Sequence, residues 1–314
     1  PLEKIGCFFY PRNKTTLPLT LEGTSIPLAQ KHTESKGSAQ VKSLILLSAL
    51  STQGTTIVEE KKISRNHTEI FLKAINADIK VTQFKRGNLI KLSGQKNLHA
   101  FKCSISSDPS SLAFLVALTL LTEKSKLIVH NVLCNPTRMG FIKILKEKMN
   151  ANINVTNLKR ISGELVGSIT VKSSSLKNVN CPKELIPSLI DELPILFVIA
   201  ALTKGISKFK SINEATKKES NRIKEMGNIL SKLGILCKST NDQMIIRGRR
   251  KINNKKIIVV DTEGDHRICM SSAILGLVTG AKIKIKNFET VNTSFPGFIT
   301  LIKNIGGKLE VKKN

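Results

Sequence analysis

Apolar and polar positions along the chain fall into the same order four times. A run that is apolar on nearly every side comes first, at residues 41–50, 112–121, 193–202 and 268–278. A short alternating strand pattern follows, then an amphipathic helix pattern. A strand opening on Ala or Gly closes each copy: A-D-I-K-V from Ala77, A-N-I-N-V from Ala151, G-I-L-C from Gly234 and G-K-L-E-V from Gly307. These starts lie 74, 83 and 73 residues apart. So long a period exceeds that of a solenoid and describes a whole βαβ-type unit used repeatedly. A helix apolar on most sides is buried on most sides, whereas an alternating strand leaves one sheet face in water. The pattern predicts an α/β fold of repeated units with helices inside and sheets outside.

The second helix of each copy carries start and stop signals. Asn135-Pro136 offers an N-cap and a first-turn proline. Asn66-x-x-Glu69 and Thr216-x-x-Glu219 read as capping boxes, and Gly306 reads as a C-cap. A polar, irregular stretch near residues 95–102 marks the best boundary, so residues 1–96 and 97–314 are expected as two domains, the second with three units.

Composition narrows the class. A chain of 314 residues can hold two substantial cores. Its apolar runs are too short to cross a bilayer. The first residues lack the pattern of a signal peptide, and a start on Pro rather than Met predicts further residues upstream. Six scattered cysteines without metal-ligand spacing predict reduced thiols in a cytoplasmic protein, with no metal or disulfide framework. The net charge of +27 first suggests nucleic acid. The lysines, however, alternate with apolar residues, as in K-I-K-I-K at 282–286, or line polar helix faces. With no Trp and one Tyr there is little for bases to stack on. Anionic small molecules, not nucleic acid, are the expected partners of this field.

Charged and polar clusters recur where the copies turn. Gly37-Ser38-Ala39-Gln40 opens the first apolar helix, where backbone N–H groups suit a phosphate. Ser64-Arg65-Asn66-His67 opens the next helix and could add a guanidinium; either string could equally be a solvated helix start. Asp191-Glu192 puts two carboxylates at the mouth of an apolar helix. They read either as dipole partners or as a general base beside a hydroxyl. Lys218 and Arg222, four apart on an expected helix, form a cationic platform with Glu219 beside them, or a plain solvated face. Asp265-His266-Arg267 is the most specific cluster, because three ionisable side chains at an apolar helix are costly without partners.

Taken in order, S-A-Q-V-K-S, S-R-N-H-T-E, D-P-S-S-x-A-F, N-P-T-R-x-G, I-P-S-L-I-D-E-L-P-I-L, K-E-S-N-R, D-H-R-I-C-M and T-S-F-P-G-F resemble the 3-phosphoshikimate 1-carboxyvinyltransferase (EPSP synthase) family over almost the whole chain. The resemblance implies two inside-out α/β barrel domains of three units each, with the active site in the cleft between them. Residues 1–96 would be the later part of the first domain. It implies transfer of the enolpyruvyl group of phosphoenolpyruvate to the 5-hydroxyl of shikimate 3-phosphate, by a monomer needing no cofactor or metal. Carried over by motif position, Ser38, Ala39, Gln40, Arg65, Asp191 and Lys218 would hold shikimate 3-phosphate. Asp191 would take the hydroxyl proton and Glu219 would shuttle a proton at the enolpyruvyl methylene. Gln40, Arg222 and Arg267 would clamp phosphoenolpyruvate, with His266 supporting that side.

The chain also departs from the family pattern. The opening Lys-Ser-x-x-x-Arg motif and Asn-Ala-Gly-Thr loop are absent, and Thr216, Lys217, Asn221, Asn66, Cys269 and Thr293 replace the usual residues. The chain alone is therefore expected to be weak or inactive unless an upstream segment complements it. Rival expectations are a sister enolpyruvyl transferase, which would need a Pro-Cys loop, and an RNA 3′-phosphate cyclase, which would need a His near the C-terminus. From another class comes a non-catalytic remnant that binds anions.

Overall fold

The computed structural model describes residues 1–11, 16–84, 87–252 and 256–311. The chain divides into two compact units, one of residues 1–105 with 160–165, the other of 106–159 with 166–314.

In the first unit an antiparallel pair, β1 (Phe8–Tyr10) and β2 (Thr20–Glu22), precedes a four-stranded sheet. That sheet and its helices run β3 (Lys31–Glu34), α1 (Ala39–Ala49), β4 (Thr55–Glu60), α2 (His67–Ala74), β5 (Asp78–Phe84) and β6 (Gly87–Ser93). Its order is β3-β4-β6-β5, with β3 parallel to β4 across α1 and β6 antiparallel to both neighbours. Ile45, Leu46 and Ala49 of α1 pack on Val58, Leu72, Ile79, Ile90 and Leu92. Leu44 and Leu47 on the same helix are exposed. The expectation of burial on most sides therefore fails for α1, which lays a single stripe on its sheet.

The second unit runs α3 (Pro109–Leu121), β7 (Lys126–Leu133), α4 (Gly140–Lys148), β8 (Asn152–Ile161), β9 (Glu164–Lys172), α5 (Ile186–Leu189), α6 (Leu193–Ala201), β10 (Gly205–Lys210), α7 (Arg222–Lys232), β11 (Leu236–Thr240), β12 (Gln243–Gly248), β13 (Ile258–Val260), α8 (His266–Thr279), β14 (Ile283–Ile285) and α9 (Phe298–Asn304). Its sheets are β7-β9-β8, β10-β12-β11 and the parallel pair β13-β14. The apolar helices α3, α6 and α8 pack on one another, and every residue of α6 is buried. Helices lie inside and sheets outside, as the periodicity predicts. No described helix is long and apolar enough to cross a membrane.

The three larger sheets place their last strand in the interior, as in β4-β6-β5, β7-β9-β8 and β10-β12-β11. These central strands are the part of the repeat that the sequence pattern misses, although L-I-K-L and I-T-V-K alternate as strands do. The repeat also forces close approaches. A Cβ on Gly248 would lie 2.1 Å from the carbonyl oxygens of Ala200 and Thr203, so β12 crosses the end of α6 only because it ends on glycine.

Three local expectations fail. No strand forms at Gly307, where the backbone N–H instead closes α9 by donating to Ile302 O at 2.8 Å. No central hairpin strand follows it among the described residues, and a strand needs a ladder partner. Thr216 does not cap a helix; its hydroxyl donates to Asn213 O, and α7 is capped by Asn221, which accepts from Lys224 N. Asn66 makes no side-chain cap, and Glu69 turns instead to the buried Lys42. In both boxes a tertiary partner or a better-placed Asn outcompetes the local bond. Asn135 does accept from Thr137 N, but it caps a 3₁₀ turn at Pro136–Arg138 ahead of α4. Gly306 follows α9 at φ 93, the left-handed conformation its C-cap role needs.

Candidate active site

In the second unit the N-termini of α3, α6 and α8 meet at one end of the bundle, and each brings a carboxylate. Helix N-termini carry partial positive charge, so three together need negative neighbours. Asp108 caps α3, accepting from Ser110 N and Ser111 N at 3.2 and 2.9 Å. Asp265 caps α8, accepting from Arg267 N and Ile268 N at 2.9 and 3.4 Å. Asp191 and Glu192 behave differently. They sit in a buried 3₁₀ turn (Ile190–Glu192) leading into α6, and Glu192 makes no side-chain cap. Their carboxylates are turned to cations instead.

Arg222 is the hub, with its side chain 1% exposed. Its Nε donates to Asp265 Oδ2 at 2.8 Å, Nη1 to Asp191 Oδ1 at 3.3 Å and Nη2 to Glu219 Oε2 at 2.5 Å. Ser220 Oγ donates to the same Asp265 oxygen at 3.0 Å. Lys218 Nζ lies 3.2 Å from Asp191 Oδ1 and is partly exposed. Lys218 and Arg222 do not share a helix face, as the sequence suggested. Lys218 is extended, after the 3₁₀ turn Asn213–Lys217 and before α7 begins. They converge from different backbone segments onto one oxygen of Asp191. Nor is Arg222 an open platform for anions: it is spent on three carboxylates.

Arg267 contrasts with it. Its guanidinium is 14% exposed, its nearest carboxylate is Glu192 Oε1 at 3.7 Å, and it makes no side-chain hydrogen bond among the described residues. Glu192 is buried and accepts from Ser110 Oγ. Arg138 reaches Asp108 at 2.7 Å and Ser110 Oγ at 2.6 Å. Asp108, Ser110 and Arg138 were not assigned to the site from the sequence, and Glu192 entered only as the neighbour of Asp191. The signal was present: D-P-S-S and N-P-T-R-x-G occupy the same turns of their repeat as D-H-R and K-E-S-N-R do of theirs.

The surroundings set proton affinities. Burial pushes the Asp265 carboxyl up, but the hydrogen bond and charge of Arg222, with the Arg267 backbone N–H and Ser220, hold it below the usual range. Burial raises Glu192, and Arg267 and Ser110 only partly offset this. Burial and neighbouring Arg267 lower His266, against the opposite pull of Asp265 and Glu219, which favours a neutral imidazole.

The first unit presents one such helix entrance. Ser38 caps α1, accepting from Val41 N at 3.3 Å, so its hydroxyl proton stays available to donate. The expected phosphate cradle is partly filled from within: buried Glu34 accepts from Lys36, Gly37 and Ser38 N–H groups at 3.2, 2.5 and 3.1 Å. Ala39 is half-buried, Gln40 is exposed, and Arg65 stands half-buried at the start of α2. Beneath them Lys42 Nζ is buried between Glu60 and Glu69 at 2.9 and 2.7 Å. His67 Nδ1 meets Glu164 at 2.6 Å, tying α2 to the 160–165 segment of the same unit.

Residues 1–302 match the family model for EPSP synthase (3-phosphoshikimate 1-carboxyvinyltransferase). A 3-phosphoshikimate 1-carboxyvinyltransferase of Petrotoga mobilis is 41% identical over 309 residues, 97% of this chain and 69% of the relative. One from Bartonella quintana is 39% identical over 310 residues, 98% of this chain and 70% of the relative. Among solved structures, EPSP synthase from Acinetobacter baumannii aligns at TM-score 0.85 and 36% identity, covering 98% of this chain and 70% of that one. The enolpyruvyl transferase NikO from Streptomyces tendae, at TM-score 0.70 and 12% identity, covers 98% of this chain and 70% of its own, and shares the fold. On sequence over nearly its whole length, and on fold, the chain belongs to the EPSP synthase (3-phosphoshikimate 1-carboxyvinyltransferase) family.

Proposed function

We propose that this chain transfers the enolpyruvyl group of phosphoenolpyruvate to the 5-hydroxyl of shikimate 3-phosphate, releasing phosphate, in the shikimate pathway to chorismate and the aromatic amino acids. One observation carries the reading of the site: a single oxygen of Asp191 receives both Lys218, at 3.2 Å, and Arg222, at 3.3 Å, at a helix mouth where Arg267 stands unspent. That arrangement suits a general base among cations that gather acidic substrates.

Asp191 accepts the proton of the 5-hydroxyl as its oxygen bonds to C2 of phosphoenolpyruvate, and the methylene carbon gains a proton from Glu219. Elimination reverses the second transfer: Glu219 takes a methyl proton, the C2–O bond to phosphate breaks and the double bond re-forms. Lys218 holds the shikimate 3-phosphate beside Asp191. Arg267 meets phosphoenolpyruvate directly, whereas Arg222 adds its charge while ordering Asp191 and Glu219. His266, disposed to stay neutral, supports that side without adding a charge. On motif position alone, Ser38, Ala39, Gln40 and Arg65 are further candidate ligands of shikimate 3-phosphate, and Gln40 of phosphoenolpyruvate. We place the catalyst in the cytoplasm as a monomer.

A phosphate-release assay with both substrates tests this. Asp191→Asn should lower kcat by about 10²–10⁴-fold, and calorimetry should show binding of shikimate 3-phosphate lost in Lys218→Met. Phosphate release independent of shikimate 3-phosphate, or unchanged in Asp191→Asn, would overturn the reading. Binding only to RNA, with steep salt dependence, would favour the polyanion alternative.

A further inference from the structure

We propose that Glu192 is a positioning residue that aims the Arg267 guanidinium at phosphoenolpyruvate, and that Ser110 and Arg138 hold Glu192 in place. The inference rests on the reading that Arg267 meets that substrate. Its warrant is a polar relay whose direction is dictated by chemistry. Arg138 has only donors, so Ser110 Oγ, 2.6 Å away, must accept from it. The one hydroxyl proton of Ser110 is then committed to Glu192 Oε1. That same oxygen faces Arg267 Nη1 at 3.7 Å.

A buried carboxylate is costly unless its charge is used. Here it is not used to cap α6, and a glutamine could accept the Ser110 bond equally well. The remaining uses of the charge are Arg267 and, more weakly, Arg138; Arg138 already has Asp108 at 2.7 Å, whereas Arg267 has Glu192 as its nearest carboxylate. At 3.7 Å the attraction is charge to charge without a hydrogen bond, so it orients the guanidinium and leaves its N–H groups for an incoming anion. Arg222 shows the opposite case: its side chain is 1% exposed and hydrogen-bonded to carboxylates at 2.8 and 2.5 Å. The two arginines stand at neighbouring helix entrances, one consumed and one poised. Glu192 and its relay set that difference, and they join residues of α3, of the turn before α4 and of α8 around the mouth of α6.

Glu192→Gln keeps the size and the acceptor for Ser110 and deletes the charge. We expect the KM for phosphoenolpyruvate to rise about tenfold, with the KM for shikimate 3-phosphate and the Tm held. In an Arg267→Lys background the same substitution should add nothing, because a residue acting through another couples to it in a double-mutant cycle. Multiplying effects, or a shikimate 3-phosphate KM that moves equally, would overturn the proposal. Ser110→Ala is the second variant, chosen in case Glu192→Gln fails to fold, and should shift the phosphoenolpyruvate KM in the same direction. No shift there, beside a folded protein, counts against the relay. If Arg267→Lys alone leaves the phosphoenolpyruvate KM unchanged, the site reading itself fails. If it raises that KM while Glu192→Gln does not, only this inference falls.

Discussion

Arg222 Nε donates to Asp265 Oδ2 at 2.8 Å, with both side chains essentially sealed from water. The bond joins the first residue of α7 to the N-cap of α8, so one carboxylate caps a helix and neutralises a buried guanidinium. Removing one partner of a buried pair strands the other, at a cost of about 3–5 kcal/mol. Asp265→Asn should show a loss of that order in urea unfolding. The pH dependence has a definite sign. The folded-state pKa of Asp265 lies below its ordinary 3.8, so its stabilisation is present above that value and is lost as pH falls through the folded pKa. The Asn variant should therefore be less stable at neutral pH, with a flatter decline below about pH 4.

Glu192 should behave in the contrary way. Burial raises its pKa, so ionising Glu192 to face Arg267 costs stability: the stability it contributes is present below the ordinary value and lost as pH rises through the folded one. At neutral pH Glu192→Gln should therefore melt no lower than the parent. A clear fall in Tm on a calorimetric scan at pH 7 would show that its charge stabilises the fold.

Lys42 lies buried between Glu60 and Glu69 in the first unit. Lys42→Met would leave two carboxylates facing each other without a cation, and we expect a loss of about 3–5 kcal/mol. Pairing it with Glu69→Leu removes one orphan charge and should restore part of the loss. Equal stability of the single and double variants in denaturant titrations would show that Glu69 carries no share of the penalty.

Gly140 starts α4 against α5. A Cβ there would fall 2.1 Å from Ser188 Oγ and 2.9 Å from the Ser188 carbonyl carbon. Gly140→Ala should cost about 1–3 kcal/mol by overpacking. Adding Ser188→Gly should recover part only, because the backbone contact survives.

The cysteines supply a reactivity test. Cys103 is exposed, whereas burial pushes the Cys181 and Cys269 thiols up to about 12 and Cys237 to about 11. The thiolate is the reactive form. At pH 8 an alkylating reagent should add once, at Cys103, with further adducts only after urea; peptide mass spectrometry reads the order.

The residue order alone decided what depends on neighbours close in the chain. Four apolar runs, the alternating strands after them and the caps Asn135 and Gly306 were legible, because periodicity and capping act within a few residues. The motifs at the helix entrances also carried the family resemblance. Tertiary structure decided which partner each charge would take. Thr216 and Glu219 had the spacing of a capping box, yet Glu219 binds Arg222 and Asn221 caps the helix. Gly37 and Ser38 offered N–H groups to a phosphate, yet Glu34 from the preceding strand takes both. The relay from Arg138 through Ser110 to Glu192, and the division between a spent Arg222 and a poised Arg267, join residues from separate repeats. Spacing along the chain carries no information about such meetings. Packing three apolar helices side by side brings their entrances together, and burial then makes every unpartnered charge there too costly to leave alone.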